Sequence, residues 1–154
     1  MNESRSIIHV LARRLGVYLA AVAVAYVLAS MTATQSVVAS LQAMGIDLSL
    51  AERLGMTARD LAGMAGMFLP LIAFGFLIAF LVTALICHWW DQWRTPLYVL
   101  AGAIAIIAIH LALNLAFQIT PVAIARSTTG LLIQAVAGAA GGFTYAWLSQ
   151  RTGH

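Results

Sequence analysis

The chain has 154 residues, of which 62% are apolar and only 8% charged, with a mean hydropathy of +0.94. Soluble domains carry about 45–50% apolar and about 25% charged residues, and a domain this small has too much surface per unit volume to hide the excess. Lipid is therefore the expected solvent. The net charge of +3 does not point to nucleic acid, because the longest basic run is Arg13-Arg14 and no basic patch is interleaved with aromatics.

The length fits one membrane domain, 1–154. Four uncharged apolar stretches, 15–33, 61–87, 97–119 and 128–148, each reach the roughly 20 residues a helix needs to cross about 30 Å of hydrocarbon. Backbone polar groups in lipid must pair within a helix or a closed barrel, and the stretches lack the period-2 alternation of barrel strands. The expected fold is all-α: a four-transmembrane-helix bundle.

Arg13-Arg14 and an apolar run also have the outline of a cleaved signal peptide. The run exceeds the usual 7–15 residues, however, and no small-x-small site closes it, which favours an uncleaved first span. After it, Val37, Val38, Leu41 and Met44 recur at helical spacing, which predicts a short amphipathic helix over 35–44 that ends at Gly45. Ser49-x-x-Glu52 and Thr57-x-x-Asp60 both match the capping box. Gly55 is expected to stop a short helix between them, with Thr57 starting the second span over 58–87. The segment 35–57 is thus expected along the outer interface, its apolar face in the headgroups.

The second span contains Pro70, which removes a helix hydrogen bond and presses on the carbonyl of Gly66. A hinge or bend at Gly66–Pro70 is expected in a stretch longer than the bilayer core requires. The single Cys87 forms no internal disulfide and gives no metal-ligand spacing; packing is its expected role.

The third span, 97–119, carries His110, Asn114 and Gln118 four residues apart, so they turn about 40° per step along one face. Gln134 on the fourth span, with Tyr26 and Ser30 on the first, falls within about 10 Å of the same outer boundary by helical rise. These six residues form either a polar pocket in the outer half or hydrogen-bonding glue between helices. A small-residue stripe (Ala101, Ala105, Ala108, Ala112, Ala116) marks a packing face on span three. Gly138-x-x-x-Gly142 marks another on the fourth span, 128–148, where missing side chains let backbones meet. A resemblance between 62–68 and 137–143 hints at a duplication of helix pairs, but the copies lie at different depths, which favours coincidence.

Orientation follows from the arginines. Arg5, Arg13, Arg14, Arg94 and Arg151 fall on one side and Arg53, Arg59 and Arg126 on the other, which predicts both termini in the cytoplasm and an inner (cytoplasmic) membrane. Tyr18, Trp89, Trp90, Trp93, Tyr98, Tyr145 and Trp147 fall at the predicted inner boundary, as an interfacial belt.

No cofactor, metal or catalytic residue is expected. His88 and His110 lie about 20 Å apart in depth by helical rise, so one haem iron cannot bridge them within a chain; only a His110 pair across a dimer would share one depth. The acids Glu3, Asp47, Glu52, Asp60 and Asp91 lie outside the four stretches, which leaves no carboxylate pair for catalysis and no intramembrane acid for ion-coupled transport. The expected function is a non-catalytic subunit, scaffold or assembly partner of a membrane complex. Its expected partners are lipid and another membrane protein or a second copy, not nucleic acid. The alternative is a passive permeation unit with an outer polar vestibule, and less favoured is a membrane enzyme or redox carrier.

Overall fold

The computed structural model describes residues 2–117 and 127–151, with side chains over 7–116 and 127–151. The described residues form α1 (Asn2–Ala43), α2 (Leu50–Cys87), α3 (Arg94–Phe117) and α4 (Thr128–Arg151), with one 3-10 turn at Asp91–Trp93 between α2 and α3. All four helices are long and apolar enough to cross a membrane. α1 and α3 each pack against both α2 and α4, so the helices form a four-membered ring. Arg13 on α1 donates to the carbonyl oxygen of Arg151 on α4, which puts both ends of the described chain at one end of the bundle. This proximal end also carries the α2–α3 connection.

The packing follows from residue size. α1 offers Ala21, Ala25 and Ala29, four apart and fully buried. They approach α4 so closely that a Cβ on Gly141 would stand 2.8 Å from the Ala25 Cβ and 2.9 Å from the Ala21 carbonyl oxygen. α3 and α4 meet backbone to backbone: a Cβ on Gly142 would lie 2.0 Å from the Tyr98 carbonyl oxygen. The space left between these lean helices is filled by α2, whose Phe68, Ile72, Phe76 and Phe80 repeat every fourth residue on one buried face. Between helices surrounded by lipid, whose tails are as apolar as leucine, association rests on van der Waals fit and interhelical hydrogen bonds rather than on exclusion of water. Outward positions are correspondingly apolar, among them Phe74, Leu81, Leu85, Leu115 and Val136.

Four sequence expectations are corrected. The stretch 35–44 is not a separate helix, because α1 runs on unbroken to Ala43. Thr32 and Thr34 return their hydroxyls to the carbonyls of Leu28 and Ser30 without interrupting it, and no Gly or Pro stands between Gly16 and Gly45. The end at Gly45 is where it was expected: φ is +81° there, and Gly45 N–H to Gln42 with Ile46 N–H to Leu41 closes a Schellman pair. The second correction is the start of α2. Ser49 and Glu52 form the complete capping box, so α2 begins at Leu50. Gly55 then continues the helix, lacking the positive φ that would stop it, and Thr57 sits inside it with its hydroxyl on the Arg53 carbonyl. Third, Asp60 caps nothing and instead meets Thr34 across the helix pair at 2.8 Å. Fourth, the aromatic belt is smaller than expected. Trp89, Trp90 and Trp93 are exposed, but Tyr98 is buried against Phe80 and Tyr145, and Tyr18 bonds the Ala73 carbonyl of α2. α2 passes Pro70 without losing its helical assignment. Pro96 occupies the first turn of α3, where its missing N–H costs nothing.

Candidate functional site

The distal half of the bundle holds the polar residues singled out in the sequence. Gln134 on α4 is fully buried, and its amide donates to the Ala29 carbonyl at 3.0 Å and to the Thr32 hydroxyl at 3.3 Å. Tyr26 on α1 donates to the Leu61 carbonyl of α2. Ser30, also fully buried, points at the Met64 sulfur 3.9 Å away. His110 on α3 is 3% exposed, with its ring 5.7 Å from that of Phe68. Gln134 is near enough to act on the His110 imidazole, yet neither ring nitrogen has a protein partner in hydrogen-bond geometry, and neither does the Gln134 Oε1 atom.

Four of the six expected residues, Tyr26, Ser30, His110 and Gln134, therefore converge on one buried seam between the helices. Asn114 does not join them and is exposed: the 40° drift per four residues is enough to carry it past the helix contact. Gln118 lies outside the described residues, as do Ile119, Arg126 and His154. In this seam the Tyr26 hydroxyl and the Gln134 amide donate to backbone carbonyls of neighbouring helices and the Ser30 hydroxyl points at a thioether, while the His110 nitrogens and the Gln134 Oε1 atom keep buried polar capacity. Among the described residues no three His, Cys, Asp or Glu side chains stand together as a metal site.

The small-residue faces separate into two uses. Gly138 and Gly142 lie inside the bundle against Gly102 and Tyr98 of α3, and Ala105 is buried beside Gly75 of α2. Ala108, Ala112 and Ala116 remain exposed. With Leu71, Phe74 and Ile78 of α2 they line an open apolar groove of about 650 Å³ between α2 and α3.

A second polar region lies at the proximal end. Arg13, Arg14, His88, Asp91, Arg94 and Ser149 surround a cavity of about 600 Å³, with Tyr98 and Tyr145 also in its wall. All four helices contribute. The Arg94 guanidinium lies 5.9 Å above the Tyr98 ring and reaches the Ser149 hydroxyl at 3.4 Å, while its Nε is buried with no protein partner. Arg151, which accepts from Arg13 through its carbonyl, stacks 3.8 Å from the Trp147 ring. Sequence reasoning used these arginines only to orient the chain. Their shared depth just beyond three different apolar stretches was the signal that could have assembled them, but which faces turn inward depends on how the helices pack.

Compared with known proteins, the chain matches no protein-family model, no curated protein and no solved structure.

Proposed function

We propose that the protein is a non-catalytic integral membrane module, a subunit or assembly partner that presents its α2–α3 groove to a transmembrane helix of another subunit. The observation that carries this reading is the buried polar seam. The hydroxyls of Tyr26 and Ser30 and the amide N–H of Gln134 are engaged in contacts between helices, which supports glue for a rigid module over the lining of a path. The groove supports it as well. From Leu97 to Ala116 its α3 side spans about 30 Å at 1.5 Å per residue, the thickness of the hydrocarbon core. Its alanine floor permits the close backbone approach by which membrane helices associate. Gathering of Arg13, Arg14 and Arg94 at the proximal end supports an arrangement with both termini cytoplasmic.

A photo-crosslinker placed at Ala112, in the protein's native membrane, tests the reading. The expected result is one discrete protein adduct, lost when Ala108→Trp fills the groove while the bundle stays folded. Crosslinks to lipid alone, with a monomeric size after mild extraction, would overturn it. The second reading, permeation, is favoured by one observation, the two unpartnered nitrogens of buried His110. Solute flux into proteoliposomes that disappears in His110→Ala would favour that reading.

A further inference from the structure

We infer that the proximal vestibule is a binding site for a phosphate-bearing anion, either the headgroup of an anionic phospholipid or free phosphate. The first argument is charge. Three guanidinium groups, Arg13, Arg14 and Arg94, and the His88 imidazole face one cavity whose wall has one carboxylate, Asp91. Guanidinium is the side chain best shaped for phosphate, because its planar fork offers paired N–H groups to two oxygens at once.

The second argument is unmet demand. Hydrogen bonds from charged groups are normally short, but the protein contacts of these guanidinium groups are long: Arg94 to Ser149 and Arg13 to the Arg151 carbonyl are each 3.4 Å. These arginines are held near the cavity by the Tyr98 face and by helix ends, and no carboxylate pairs with them in close ion-pair geometry among the described contacts. An oxyanion between them would supply the acceptors they lack.

The third argument is level. The cavity lies beside His88 and Asp91, in the connection that also carries the exposed Trp89, Trp90 and Trp93. Indole rings favour the depth of lipid headgroups, and basic pockets between membrane helices at that depth bind headgroup phosphates. At about 600 Å³ the cavity exceeds a phosphate group, and Val10, Val17 and Ala84 give it an apolar wall that a glycerol-linked chain could touch.

The test uses the full chain in phosphatidylcholine nanodiscs, titrated in separate arms with phosphatidylglycerol and with inorganic phosphate, and read by native mass spectrometry and by the emission of the nearby tryptophans. The wild type is expected to retain one of the two anions at least about tenfold better than an Arg14→Gln/Arg94→Gln variant, a loss of about 1.4 kcal/mol. The distal pair Arg53→Gln/Arg59→Gln, which removes equal charge, is expected to match the wild type. Retention of phosphatidylglycerol that millimolar phosphate does not displace assigns the lipid headgroup; binding of phosphate alone assigns the free anion. Arg94 contributes to the packing of α3, so Arg14→Gln alone, at an exposed position, is the second variant and should weaken binding with an unchanged helical spectrum. Equal retention in wild type and Arg14→Gln, or no anion held above the phosphatidylcholine background, overturns the inference.

Discussion

The side-chain amide of Gln134 on α4 donates to the carbonyl oxygen of Ala29 on α1 across 3.0 Å, at a position with no exposure. Interhelical bonds of this kind contribute about 0.6–2 kcal/mol in membranes, and here the benefit is reduced because Oε1 of the same side chain has no partner. Gln134→Leu, which keeps the volume and removes both effects, is expected to cost less than about 1 kcal/mol. Gln134→Ala opens a cavity as well and should cost about 2 kcal/mol or more. Unfolding by denaturant in micelles measures both. Equal losses for Leu and Ala would show that the polarity of Gln134 matters more than its bulk, contrary to a packed seam.

His110 sits on Phe68 with both ring nitrogens unpaired. Replacing an unsatisfied buried polar group by an apolar one of similar shape is neutral or stabilising. The melting temperature of His110→Phe should therefore equal or exceed that of the wild type. A clear fall would reveal a partner for the imidazole, such as water or a solute, and would favour the permeation reading.

Gly102 and Gly138 pack so closely that a Cβ on Gly102 would stand 2.2 Å from the Gly138 carbonyl oxygen. Backbone cannot yield as a flexible side chain can, so Gly138→Ala is expected to destabilise the bundle by at least about 1–3 kcal/mol. Gly63, equally helical but with nothing within 4 Å of its would-be Cβ, should gain from the same change, by up to about 1 kcal/mol of helix propensity. Thermal unfolding of the two variants should thus move in opposite directions. A Gly138→Ala variant as stable as the wild type would mean that α3 and α4 do not meet at this point.

The two hydroxyl-x-x-carboxylate motifs of the first loop give a test of where α2 begins. Ser49 accepts from the Glu52 N–H and Glu52 accepts from the Ser49 N–H, so Ser49→Ala should cost about 0.5–2 kcal/mol and speed hydrogen exchange over 50–54. Thr57→Ala removes only a hydroxyl bonded back to the Arg53 carbonyl and should leave exchange at the helix start unchanged. The reverse pattern would restore Thr57 as the start.

Much of the fold is legible along the chain because lipid imposes its demands locally. Hydrocarbon thickness sets helix length and unpaired backbone is excluded, so 61–87 or 128–148 can be recognised without knowing any neighbour. Ambiguity entered where two local signals competed. Ser49 and Thr57 carry the same capping pattern, and only the uninterrupted helix between them, with Gly55 in ordinary helical geometry, decides which one acts. The tyrosines were misplaced for a similar reason: Tyr98 and Trp93 share a depth, but depth does not say which of them faces the core.

The amino-acid sequence alone determined the helical state, the number of apolar stretches long enough to cross a membrane and the gathering of small residues on particular faces, since each depends on composition or on spacing within a single helix. Tertiary structure decided what those faces meet. It turned His110 and Gln134 into a buried seam while leaving Asn114 exposed, set Gly138 against α3 while leaving Ala112 open, and drew Arg13 and Arg14 of α1 and Arg94 of α3 around one cavity. Rotation of each helix about its axis is fixed by contact with its neighbours, and no single stretch of chain contains that information.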